Sequence, residues 1–83
     1  MHSQPSTINS QPPRWLGVFF DGPQSDQNHD GDEIPMWVVY VGDQDANPVG
    51  KVYTVGSYAY ASQLARTIAR ERNLELIDEA MPD

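Results

Sequence analysis

The run MWVVYV, Met36 to Val41, constrains the fold of this chain more than any other feature. Residues so rich in β-branching and aromatic rings specify a strand. Side chains along a strand alternate between faces, which puts Met36, Val38 and Tyr40 on one side and Trp37, Val39 and Val41 on the other. Both sets are apolar. The earlier run RWLGVFF (Arg14–Phe20) repeats the pattern, with Leu16, Val18 and Phe20 opposed to Trp15 and Phe19. KVYTV (Lys51–Val55) adds Val52 to one side and Tyr53 and Val55 to the other. A sheet covered on one side alone alternates apolar with polar residues. Here the polar half is missing, so both faces of the sheet need a cover.

The chain supplies one helix for that purpose. Ala61, Leu64, Ala65, Ile68, Ala69 and Arg72 fall at helical spacing and form a single stripe. Ser57 is placed to cap its start, and Asn73 to take the left-handed position at its end, with Leu74 folding back onto the last turn. Arg66, Arg70 and Arg72 lie in the C-terminal half, where positive charge complements the helix dipole. LELI (Leu74–Ile77) reads as a short final strand. The expected fold class is α+β: an antiparallel sheet of three to four strands with one helix on one face, in the order β-β-β-α-β.

The flanks and one insertion lack apolar periodicity. Residues 1–13 are Ser, Gln, Pro and Asn around an isolated Ile8, a composition that predicts a disordered tail. Residues 14–80 form the single domain, and 81–83 a second tail. Within the domain, residues 21–35 read as a mobile acidic loop, and loops of this length are functional or disordered. In a chain of 83 residues, one small domain has to rely on its core, an ion or a second copy of itself.

Three covers are open for the second sheet face: the acidic loop, a second copy of the chain, or another protein. The loop offers only Ile34 as a large aliphatic residue. A symmetric homodimer is the simplest remaining answer. Exposed apolar patches mark interaction sites, and Trp15, Trp37, Val39, Val41 and Tyr53 are the residues expected to carry the contact.

Charge narrows the partners. Twelve acidic against five basic residues give a formal net charge of -7, which repels phosphate backbones and argues against nucleic-acid binding. Asp21, Asp26, Asp30, Asp32, Glu33, Asp43 and Asp45 all precede Lys51 with no cation among them. One alternative is therefore an acidic inhibitor that mimics nucleic acid, an idea that requires those carboxylates to share a surface. No run approaches membrane-spanning length and no secretory signal is apparent, so the expected setting is the cytoplasm.

DQNHDGDE (Asp26–Glu33) raises a further alternative. Asp26, Asn28, Asp30 and Gly31 match the first half of a calcium loop, D-x-[DN]-x-[DN]-G, and Asp32 would add a carbonyl. The pattern then fails, because the position of the closing glutamate is Trp37 and Glu33 stands where an apolar residue is usual. A calcium-stabilised domain using Asp26, Asn28, Asp30 and Asp32 remains the second reading, and otherwise no cofactor is expected. Asp43, Asp45 and Asn47 are explained by a hairpin turn that their side chains stabilise.

The motifs of catalysis are missing. The absence of cysteine removes thiolate nucleophiles and thiolate zinc sites. His2 and His29 have no HExxH partner, and neither a phosphate loop nor a nucleophile elbow occurs. A non-enzymatic role follows. The run WVVYVG…GKVYTVGSYAYASQLARTIARERNLELIDEA, about residues 36–80, resembles small uncharacterised bacterial domains often carried on plasmids or phages. They share the hairpin, the alanine-rich helix reached through a short polar turn, and the final LEL-like strand. The resemblance implies a β-β-α-β unit with an accessory role and no catalytic residues to carry over.

Overall fold

The computed structural model describes residues 15–27 and 29–82. The elements run β1 (Leu16–Gln27), β2 (Glu33–Asp43), β3 (Pro48–Val55), helix α1 (Tyr58–Arg72) and β4 (Glu75–Asp78). They form a four-stranded sheet in the order β3-β2-β1-β4, with α1 across one face. The expected α+β class and β-β-β-α-β order hold. The sheet is mixed rather than antiparallel throughout, because β4 pairs parallel to β1, with Val18 opposite Leu76 and Phe19 opposite Ile77. The helix causes this. Antiparallel steps link β1 to β2 and β2 to β3, so β3 runs parallel to β1, and a crossover through a helix returns the next strand in the direction of the last.

Helix α1 begins and ends as its flanking residues dictate. The Ser57 hydroxyl accepts a hydrogen bond from the Tyr60 N–H at 3.2 Å. At the other end Asn73 is left-handed (φ 57°, ψ 48°). There the Asn73 N–H reaches the Arg70 carbonyl (3.3 Å) and the Leu74 N–H the Ala69 carbonyl (2.8 Å). That pair of bonds satisfies carbonyls the helix would leave open and turns Leu74 back toward the core. Ala61, Ala65 and Ala69 face the sheet. Their small side chains let the helix axis approach strands that carry Val18, Phe20, Trp37 and Val39, all four of them fully buried. Tyr58 closes one end of this core, its ring centre 5.5 Å from Phe20 and 6.0 Å from Trp37.

The segment read as a mobile acidic loop, 21–35, is largely paired strand. Gln24, Ser25, Asp26 and Gln27 lie opposite Met36, Pro35, Ile34 and Glu33, so β1 and β2 extend past the core as a two-stranded ribbon. Its side chains are mostly exposed on both faces, which is why apolar periodicity gave no strand signal there. A register shift between Asp21 and Gln24 separates ribbon from core sheet. Gly22 sits in that shift at φ +132°, and a Cβ there would stand 2.9 Å from the Met36 carbonyl oxygen. Only glycine fits a backbone conformation so close to its neighbour.

The residues after β4 are also better tied down than their composition implied. The Glu79 N–H donates to the Phe20 carbonyl and the Met81 N–H to the Gly22 carbonyl, both at 2.9 Å. The Met81 carbonyl in turn accepts the Trp37 indole N–H at 3.0 Å. Trp37 thus keeps its one polar group satisfied while fully buried. The predicted tail 1–13 lies outside the described residues.

Candidate interaction face

Strand parity and the position of α1 divide the apolar residues into two sets. Leu16, Val18 and Phe20 of β1, Trp37, Val39 and Val41 of β2, and Tyr53 and Val55 of β3 lie on the side that the helix covers. Trp15, Phe19, Val38, Tyr40, Val52, Thr54 and Ile77 lie on the other side. Of the residues expected to carry a partner contact, Trp37, Val39 and Val41 are therefore core, and Tyr53 packs against that core. Trp15 alone falls on the open face. The expected set mixes the two sides, and the helix covers the side of four of its five residues. The small alanine side chains at three successive turns let the helix lie close over Phe20 and Trp37.

The residues missed as contact candidates are Phe19, Val38, Tyr40, Val52 and Ile77. Phe19 and Tyr40 are cross-strand partners whose rings stack with centres 5.3 Å apart. Trp15 meets Phe19 edge to face at 6.0 Å. These rings lie along the sheet instead of standing off it, and two glycines make the room. A Cβ on Gly42 would be 2.9 Å from the Phe19 ring, and one on Gly17 would run into the Trp15 indole. Val52 borders the cluster on the far side of Tyr40 and is 42% exposed, while Ile77 borders it next to Phe19. Row by row, Val52, Tyr40, Phe19 and Ile77 make an apolar band across all four strands. Met36 and Ile34 carry it toward the ribbon.

The face has an acidic border. Burial raises the Tyr40 hydroxyl above its ordinary pKa, and the carboxylates of Asp21 and Glu79 add to the shift. Glu75 pairs with Gly17 and so shares the open side. On the helix side, Lys51 lies 5.0 Å from the centre of the Tyr53 ring. Arg66 donates to the Ser62 hydroxyl at 3.0 Å, and Arg70 lies beside it on the outer helix surface. Among the described residues every lysine and arginine lies on the helix side of the sheet.

Among the described residues the other candidate sites are not assembled. Asp26 is a strand residue opposite Ile34, and its carboxylate accepts the Gln27 N–H at 2.8 Å. Asp30 and Asp32 occupy the ribbon tip, and Asn28 lies outside the described residues. Among the described residues no three acidic or histidine side chains converge to hold a metal ion. Asp26 is held in extended strand β1, where a calcium loop would have to coil. The carboxylates proposed to mimic nucleic acid are likewise divided. The Asp43 carboxylate accepts the N–H groups of Asp45 and Asn47 (2.9 and 3.0 Å) in the β2–β3 turn. Strand β2 separates that turn from Glu33 by roughly 30 Å. A cleft of about 250 Å³ lies between β3 and the end of α1, lined by Val41, Val49, Tyr53, Ile68 and the charged Lys51, Glu71 and Arg72. No helix among the described residues is long and apolar enough to cross a membrane.

Comparison with family models, curated proteins and solved structures finds no match.

Proposed function

We propose that this chain is a non-enzymatic accessory module that docks a protein on the open face of its sheet. The observation behind the reading is an asymmetry. One apolar face of the sheet is sealed by α1, while the other carries Trp15, Phe19, Val38, Tyr40, Val52 and Ile77 with no second layer among the described residues. A contiguous band of this kind on a small domain favours interaction over chance exposure. Flat-lying aromatic rings add to its suitability, since they offer area and lose little freedom on binding. The cytoplasm of a bacterium is the setting in which we place this role.

Affinity capture with the immobilised chain tests it. Val38→Gln and Ile77→Gln, on the open face, should retain the wild-type circular dichroism and lose the captured protein. Gln63→Ala on the outer helix surface should keep it. If Gln63→Ala loses the captured protein and the open-face variants retain it, the docking surface is the helix and the proposal is wrong.

A further inference from the structure

The distribution of charge about the open face limits what can dock there. Asp21 is the cross-strand partner of Val38 on the open side, Glu75 sits on the same side at Gly17, and Glu79 follows β4 with its N–H on the Phe20 carbonyl. Farther along, Asp26 faces the same way as Ile34 and Met36 on the ribbon. Lys51, Arg66, Arg70 and Arg72 are all on the helix side. The open face is therefore an apolar band with carboxylates at its margins and, among the described residues, no cation to pair with them.

A second copy of the chain is a poor occupant. A two-fold dimer sets the same patch against itself, so the carboxylates of Asp21, Glu75 and Glu79 would meet a surface that carries, among the described residues, the same sign of charge and no cation. Like charges facing across an interface cost several kcal/mol, and among the described residues no basic group on this face offsets them. The sheet edges do not help. The outer strand β3 begins with Pro48, has a register irregularity opposite Gly42 and holds Gly50 at φ +100°. Proline and an irregular edge discourage strand-to-strand pairing. At the opposite edge, β4 spans only Glu75–Asp78.

We infer that the occupant of the open face is a different protein, presenting an apolar centre flanked by lysine or arginine. This rests on the docking reading above and adds the chemistry of the partner to it. The aromatic band would supply the contact area, and Asp21, Glu75 and Glu79 would select for basic flanks and speed the encounter.

Two peptides serve as probes, each with a leucine-rich centre, one flanked by lysines and the other by glutamates. Both are titrated into the isotopically labelled full chain and followed by NMR, beside sedimentation of the chain alone at low and high salt. The lysine-flanked peptide is expected to shift the signals of Val38, Tyr40, Val52 and Ile77, and the glutamate-flanked one to leave them in place. Asp21→Asn and Glu79→Gln should each weaken the lysine-flanked peptide by about threefold to fivefold, the effect of one rim ion pair. Gln63→Ala should not. Equal binding of both peptides on the open face would overturn the basic-partner inference and leave the docking reading standing. Shifts confined to the helix, or none with either peptide, would overturn both. Dimerisation that buries the open face at either salt concentration would show the occupant to be a second copy and also overturn the inference.

Discussion

Val38 and Val39 are chemically identical neighbours on opposite sides of β2, and truncating each to alanine measures what covers each side. Val39 is 0% exposed and belongs to the core beneath α1. Its loss removes two buried methyl groups, about 1.6 kcal/mol of transfer free energy at ~0.8 kcal/mol each. The close-packed surroundings relax only in part, and the cavity brings the cost to about 2–3 kcal/mol. Val38 sits between Thr54 and Asp21 on the open side, partly exposed. Its truncation should cost about 0.5–1 kcal/mol, most of it the lower strand preference of alanine. That preference affects both variants alike, so the difference isolates burial. Urea denaturation gives both values, and an unchanged m-value confirms that the unfolded states match. Equal costs at the two positions would mean that the open face is covered in the folded chain, contrary to the exposure of Val38.

Three further outcomes follow from local geometry. Gly22→Ala should destabilise by about 1–3 kcal/mol from its backbone conformation alone, with the contact to the Met36 carbonyl adding to it, as read from urea midpoints. Ala46 is left-handed at φ 63° in the β2–β3 turn, and Ala46→Gly should raise stability by up to about 1 kcal/mol, measured by thermal melting. Tyr40 is held above its ordinary pKa by burial first and by Asp21 and Glu79 next. The folded state thus favours its protonated form, and the contribution is intact below about pH 10 and lost as pH rises through the folded value. In Tyr40→Phe the alkaline fall in stability should be shallower, as urea midpoints taken across that range would record.

Much of the architecture was legible because short-range physics specifies it. The alternation of Trp37, Val38, Val39 and Tyr40 fixes which residues share a face, and Ser57 and Asn73 bracket the helix. The side the helix takes was not legible from hydrophobicity, since both faces are apolar. Two signals bear on it. The alanine stripe fits the face of Phe20 and Trp37, and Gly17 and Gly42 share the parity of Phe19 and Tyr40, where rings need space to lie flat. The ribbon was hidden for a different reason. Gln24 to Gln27 and Glu33 to Met36 pair through their backbones, and polar side chains exposed on both faces leave no periodic trace. The expectation of an antiparallel sheet missed the direction of β4, which the helix crossover sets once it is placed beside two antiparallel steps.

Hydroxyl-radical footprinting of the full chain, free and saturated with the lysine-flanked peptide, shows whether a partner seats on the open face of the sheet. Trp15, Phe19 and Tyr40 should react in the free chain and become protected on binding. Trp37 should stay unreactive in both states, and Tyr60, 60% exposed on the helix, should react in both. Protection at Tyr60 with Trp15, Phe19 and Tyr40 unchanged would contradict docking on the open face.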